Sequence, residues 1–408
     1  MPFSAADRLT LRDLAKKQME LAASPRNQKL WKEWMNFGSS STPERAMIRI
    51  ELNTFEHQLL PGLMKCTDEH ARSIERRLLR PMVNFTLFED DTLVPDHYAV
   101  KMHSSFVPFG LKVRRQETDG LGHHFIPYLT DLEEDEHLLG PSQFSIDEAA
   151  AQAEQQEAEE LFGDILPVRR VTDAAYSCPM QDIVHIMNMD DLYMAMVDDE
   201  ERFSRMLSRL VDDYLAYFQL MESSGLLTSG ARMQHLAQGS YCFTSELEDG
   251  IPGAKLKDLW LFMDSQETAG ISPGMYHDLV FPHYQKLMDH FGLISYGCCE
   301  AVHNIWENSL STLPHLRKVS ISPWCDEAYM GEQLRGTGIT YLRKPPATLL
   351  GMDTPELDED AVFACFRQTA QAAKGCKLEI AQRDVYMIGG SAQKVKRYVE
   401  LARKGLER

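Results

Sequence analysis

Short apolar runs recur through the C-terminal third of the chain, at Leu293–Cys298, Lys318–Ser322, Ile339–Leu342 and Lys377–Ile380. Each is too short for a stable helix and reads as a buried strand. Amphipathic stretches lie between or after them, including Asp358–Ala373 and Ala392–Arg403. Upstream, Phe203, Met206, Leu207, Leu210, Tyr214 and Phe218 repeat at helical spacing. That stripe predicts a helix from Asp199 to Ser223 with one face in the core. Strand-like character begins at Ile165-Leu-Pro-Val168. Strands alternating with helices imply a parallel sheet, and this many units predict an α/β fold, a (β/α)8 TIM barrel.

The first eighty residues read as helical. Ser41-Thr-Pro-Glu44 has the form of a capping box, and Met47, Ile48, Leu52 and Phe55 carry apolar periodicity onward from it. Between 81 and 140 the chain turns to aromatics, β-branched residues, Pro and Gly. Strands and loops are expected there around Phe85–Phe88 and Tyr98–Val100. Ser145-Ile-Asp-Glu148 opens an acidic helix rich in Ala and Gln that Gly163 ends. The division expected is a helical N-terminal extension and barrel lead-in over 1–164, then the barrel over 165–408. The extension's apolar positions call for a packing partner, either the barrel mouth or a second copy in a homodimer.

Composition narrows the function classes. With 42 basic against 61 acidic residues the net charge is −19, which disfavours nucleic acid and anionic lipid. No apolar run is long enough to span a bilayer. The first residues, Met1-Pro-Phe-Ser-Ala-Ala-Asp-Arg8, lack a signal peptide's apolar centre. The eight cysteines are scattered rather than patterned, which suits reduced thiols and a cytoplasmic protein.

The richest chemistry follows the run at Leu293. Cys298, Cys299, Glu300 and His303 lie within six residues. A helix starting there would put Cys299, Glu300 and His303 on one side, and sulfur, carboxylate and imidazole together suit zinc. The competing reading is two buried structural cysteines beside a surface Glu and His. In a barrel, chemistry gathers on the loops after the strands. Cys298–His303, Ser322-Pro-Trp-Cys-Asp326, Arg343-Lys-Pro-Pro346 and Gln382-Arg-Asp384 would then share one mouth. Arg343 and Lys344 suggest recognition of a carboxylate or phosphate. Gly389-Gly-Ser391 fits an anion pocket or an ordinary helix cap equally well. Trp306 and Trp324 read as pocket lining or as core.

Gln266-Glu-Thr-Ala-Gly-Ile-Ser-Pro273 and Tyr276-His-Asp-Leu-Val-Phe-Pro282 resemble the segment before strand five of the uroporphyrinogen decarboxylase superfamily. The resemblance covers about 165–408 and is nearest to the methyltransferase-like branch. That branch includes the zinc-dependent methylcobamide:coenzyme M methyltransferases, with cobalamin-independent methionine synthase more distant. The decarboxylases' arginine-rich N-terminal motif has no counterpart, so porphyrinogen decarboxylation is not expected.

The resemblance implies a thiol substrate activated on zinc. The branch's His-x-Cys motif aligns Cys298 with its Cys, while Tyr296 stands in place of its His. Cys298, Cys299, Glu300 and His303 are then the candidate ligands. Glu300, Asp384 and Asp326 are candidate catalytic or orienting carboxylates. Gln266, Tyr296, Trp324, Arg343 and Lys344 are candidate substrate contacts. The methyl donor implied is a methylcorrinoid carried by a separate corrinoid protein. Two rivals stand beside this: a metal-independent decarboxylase or lyase on a small carboxylate, and a non-catalytic small-molecule binder.

Overall fold

The computed structural model describes residues 3–117 and 122–407. Two helices lead the chain, α1 (Ala5–Ala22) and α2 (Pro25–Ser39). Ser4 and Ser24 cap them by accepting from Asp7 N and Asn27 N. Such caps contribute about 1 kcal/mol each.

The helix expected from Ser41 does not form. Met47–Ile50 is instead β1, a strand of the central sheet, paired with Lys377–Gln382 far along the chain. A pairing that distant outweighs a local capping signal, and nothing near Ser41 announces it. Phe85–Phe88 is likewise not a strand. It extends α3 (Glu69–Val83) as one wide helical turn. Tyr98–Val100 is a strand, as expected, and pairs in parallel with Val168–Arg170. The helix ended by Gly163 is α4 (Glu148–Phe162), capped by Asp147. The helix after Asp199 is α5 (Glu200–Ser223), which buries the stripe read from sequence.

Six further strands join β1: β2 (Ala175–Ser177), β3 (Trp260–Met263), β4 (Leu293–Tyr296), β5 (Leu316–Ile321), β6 (Thr340–Arg343) and β7 (Lys377–Gln382). All pairings are parallel, in the order β1-β7-β6-β5-β4-β3-β2. The sheet is barrel-like, with seven strands among the described residues where eight were expected. Outside it run α6 (Glu327–Leu334), α7 (Glu359–Ala372) and α8 (Ala392–Leu406). Phe366 of α7 meets Tyr398 of α8 edge to face at 5.6 Å.

β1 and β2 are the two ends of the strand order, and at the β1 edge side chains stand where a neighbouring strand would. Asp91 and Asp90 accept from the amides of Ile48 and Ile50 at 2.7 and 2.8 Å, and Asn84 donates to Ile50 O at 2.8 Å. These side chains satisfy an edge that would otherwise be open. A tight hairpin, bridged at His235 and Tyr241, enters beside them. Leu236 and Cys242 at its base pack on Trp260 and Leu293. Deeper in the lumen, Lys318 Nζ bonds Glu379 and Ser240, both at 2.7 Å.

Candidate functional site

The C-terminal ends of β3, β4, β6 and β7 carry Asp264, Cys298, Lys344 and Arg383. Side chains alternate across a strand, so one of each adjacent pair turns inward. At the end of β6 that residue is Lys344, not Arg343. The Arg343 guanidinium turns toward the helices and is saturated there: Ile321 O at 3.0 Å, Ser322 O at 2.9 Å, Lys344 O at 3.0 Å and Glu327 at 2.7 Å. Lys344 Nζ instead reaches Gln238 Oε1 at 2.8 Å and the carbonyls of Gly297 and Cys298, both at 3.2 Å. After β7, Gln382 bonds Tyr398 on α8 while Arg383 points to the Cys298 sulfur at 3.6 Å.

Gly297 is what lets the loop after β4 turn. Its φ is +102°, and a Cβ there would lie 3.1 Å from Val302 and 3.2 Å from Ser320. Beyond it, the Glu300 carboxylate accepts from Cys298 N at 2.7 Å and Ser265 N at 3.1 Å. Glu300 is buried and braces the loops after β3 and β4 together. Cys298 Sγ then rests 3.3 Å from Gln238 Oε1 and 3.7 Å from Cys299 Sγ. Ala237, Gln238 and Gly239 all have positive φ, at 80°, 53° and 78°. Two non-glycine residues are thus strained to aim the Gln238 amide at the thiol and at Lys344.

The electrostatics follow from these contacts. The hydrogen bond from Cys298 holds the Cys299 thiol below its ordinary range despite burial, helped by Lys344 and Arg383. The same contact, with burial, raises Cys298. Burial draws Lys344 down. Asp264 is pushed well up by burial, then by Glu300, Cys298 and Glu267 around it. Its buried Oδ1 has no hydrogen-bond partner, and neither has Oε2 of Glu267. A carboxyl held protonated among such neighbours is a proton donor.

Of the other expected residues, only Asp384 touches this cluster, through Arg383. The Tyr296 hydroxyl bonds that of Tyr276 at 2.7 Å, and both rings are buried. His303 accepts from Asp326 N at 3.2 Å and sets its ring edge toward Tyr329. Asp326 caps α6 through Tyr329 N at 2.9 Å. Trp306 is buried and bonds Gln333 at 3.2 Å. Ser391 caps α8 through Lys394 N, the ordinary-cap reading of its Gly-Gly-Ser motif. Gln266 opens a short turn after β3 and is half-buried. Asp384 has φ 59° and lies 3.3 Å from Arg383. Trp324 stands on the rim, 75% exposed.

The donors do not fit zinc as they are arranged. The chain bends at Cys298–Glu300, and Val302–Ile305 is a single tight turn, so no helix aligns Cys299, Glu300 and His303. Both Glu300 oxygens are taken by backbone amides, and His303 serves α6. Among the described residues, no three His, Cys, Asp or Glu side chains group as a metal site.

Three members of the cluster were not singled out from sequence: Gln238, Arg383 and Asp264. Alternation from Glu379 through Ala381 would have chosen Arg383 over Asp384, and from Phe262 it reaches Asp264. Gln238 carries no signal beyond a Gln-Gly turn.

No family model and no curated protein sequence matches the chain. Among solved structures it is similar to a methyltransferase from Methanosarcina mazei, with a TM-score of 0.52 and 13% identity. The match covers 92% of this chain and 98% of that one. It therefore includes the N-terminal region as well as the sheet, and at this identity it speaks for the fold.

Proposed function

We propose that the chain is a methyltransferase-like enzyme working at the mouth formed by Cys298, Lys344, Arg383, Gln238 and Asp264. The reaction is transfer of a methyl group between a partner-borne corrinoid and a thiol or other small acceptor. The observation that carries this reading is the placing of the adjacent thiols Cys298 and Cys299 beside two cations, Arg383 on the Cys298 sulfur and Lys344 on the Cys298 carbonyl. An acceptor thiolate would be stabilised there by the same charges that act on Cys299. Its sulfur bonds the methyl carbon, and the corrinoid leaves with the bonding electron pair. No step is routed through zinc.

The rim supports delivery by a partner protein. Trp324, Met352, Tyr386 and Met387 are large, exposed and on the loops after β5, β6 and β7. Exposed apolar side chains on three successive loops fit a protein surface better than open solvent.

The test is to mix the purified chain with methylcob(III)alamin and a small thiol, and follow loss of the methylcobalamin spectrum. Turnover that disappears in Lys344→Met supports the reading. No turnover with any thiol, free or with a corrinoid protein, rejects it. The buried, unpartnered and upward-shifted carboxyl of Asp264 favours one second reading, a lyase in which this acid protonates a carbanion left by decarboxylation. Deuterium incorporation into product from D2O would identify it.

A further inference from the structure

A separate chamber of about 300 Å3 opens in the seam between β1 and β2, on the other side of the Gln238 turn. Arg49, Asn53, Lys101, His235 and Tyr241 are among the residues lining it. Neither thiol, nor Lys344, nor Asp264 belongs to its wall. Gly239 stands between chamber and lumen, so close to the strands that a Cβ would sit 3.3 Å from Ala381 and 4.0 Å from Glu51.

The charges around it are matched, except one. Lys101 pairs with Asp173, Arg80 with Glu56 at 2.6 Å, and Glu51 with Arg383 at 3.2 Å. Arg49 has a carbonyl and a ring instead of a carboxylate: Gly239 O at 2.6 Å and the face of Tyr241 at 3.6 Å. Its buried Nε donates to nothing. Arg49 lines the chamber with no carboxylate in contact, and a guanidinium so placed can take an anion. Beside it, His235 is anchored by its backbone N–H to Asp173 at 2.9 Å, and its side chain lines the chamber. His235 is exposed to water there. The imidazole pKa is drawn down, by burial first and then by Arg49, Lys101 and Arg383, while Asp173 opposes this. An anion in the chamber would offset the three cations and favour proton uptake by His235.

We propose that the seam chamber binds a small oxyanion, the phosphate or carboxylate group of a metabolite, on Arg49 and His235. The proposal is independent of the chemistry at the mouth.

Calorimetry on the full chain near neutral pH tests it, with inorganic phosphate and succinate as separate probes in buffers of differing ionisation enthalpy. Saturable binding of one probe with net proton uptake is expected, and which probe binds tells phosphate from carboxylate. Arg49→Gln should weaken binding by about tenfold or more. His235→Gln should remove the protein's share of the proton uptake. Absence of saturable binding to the wild type below ~10 mM overturns the proposal. So does binding and proton uptake unchanged in both variants. If Arg49→Gln does not fold, the proton uptake in His235→Gln decides.

Discussion

Glu300 holds the backbone amide of Cys298 at 2.7 Å and that of Ser265 at 3.1 Å, so one carboxylate positions the thiol loop against its neighbour. The carboxylate accepts twice and donates nothing, which a carboxamide cannot reproduce. Glu300→Gln would turn an N–H donor toward one of the two amides. It should therefore cost nearly as much as Glu300→Ala, on the order of 2–3 kcal/mol for either. Denaturant midpoints check this. A Gln variant as stable as wild type would mean that the amides are satisfied some other way.

Cys298 and Cys299 should differ in reactivity although they are adjacent. The contact between them lowers Cys299 and raises Cys298, and Lys344 adds to the lowering of Cys299. Cys299 is also the more accessible of the two. Iodoacetamide should then modify Cys299 first, as peptide mass spectrometry would read. Lys344→Met should slow that reaction severalfold, because the thiolate loses a cation that favours it. Equal rates at the two thiols, or no slowing in the variant, would contradict the arrangement.

Arg343 and Lys344 should part company on substitution. The Arg343–Glu327 pair is buried at 2.7 Å, and Thr369 adds a bond to the same Glu327 carboxylate at 2.7 Å. Arg343→Ala leaves that carboxylate without its charge partner, a loss of about 3–5 kcal/mol in stability. At a temperature where the variant stays folded, its KM for a mouth substrate should be that of wild type. Lys344→Met should instead lower kcat/KM. Chemical denaturation beside steady-state kinetics separates the two, and an Arg343 variant altered mainly in KM would restore its role as a substrate contact.

That contrast shows where sequence reading reached and where it stopped. The parallel sheet was legible, because apolar runs such as Leu293–Tyr296 and Lys377–Ile380 repeat between amphipathic helices. The loop of Cys298 was legible too, since it follows such a run. Which of two neighbours faces inward was not, because a strand's last residue is uncertain and one position of slip exchanges Arg343 for Lys344 or Asp384 for Arg383. The strand at Met47 was hidden behind a local helix signal, as its partner lies more than three hundred residues away. Gln238 was out of reach. Its place depends on a strained hairpin that enters a seam seen only once the sheet is assembled.

Asp182 gives the chain a pH-dependent stability apart from the thiol cluster. Burial raises its carboxyl to about 7 from the ordinary 3.8; the Tyr214 hydroxyl bonded to it opposes this and Glu267 reinforces it. The folded-state value lies above the unfolded one. The group's contribution is thus fully present below pH 3.8, where both states are protonated. It declines as the unfolded chain ionises and is lost once pH passes about 7, where the folded state must also carry the buried charge. The loss across that window is on the order of 4 kcal/mol. Asp182→Asn keeps a partner for Tyr214 and cannot ionise, so its denaturation midpoint should fall less than wild type's between about pH 5 and pH 8. It should also be the more stable protein at the upper end. Parallel slopes for the two proteins would show that Asp182 does not titrate in that window and that the Tyr214 bond, not burial, governs its charge.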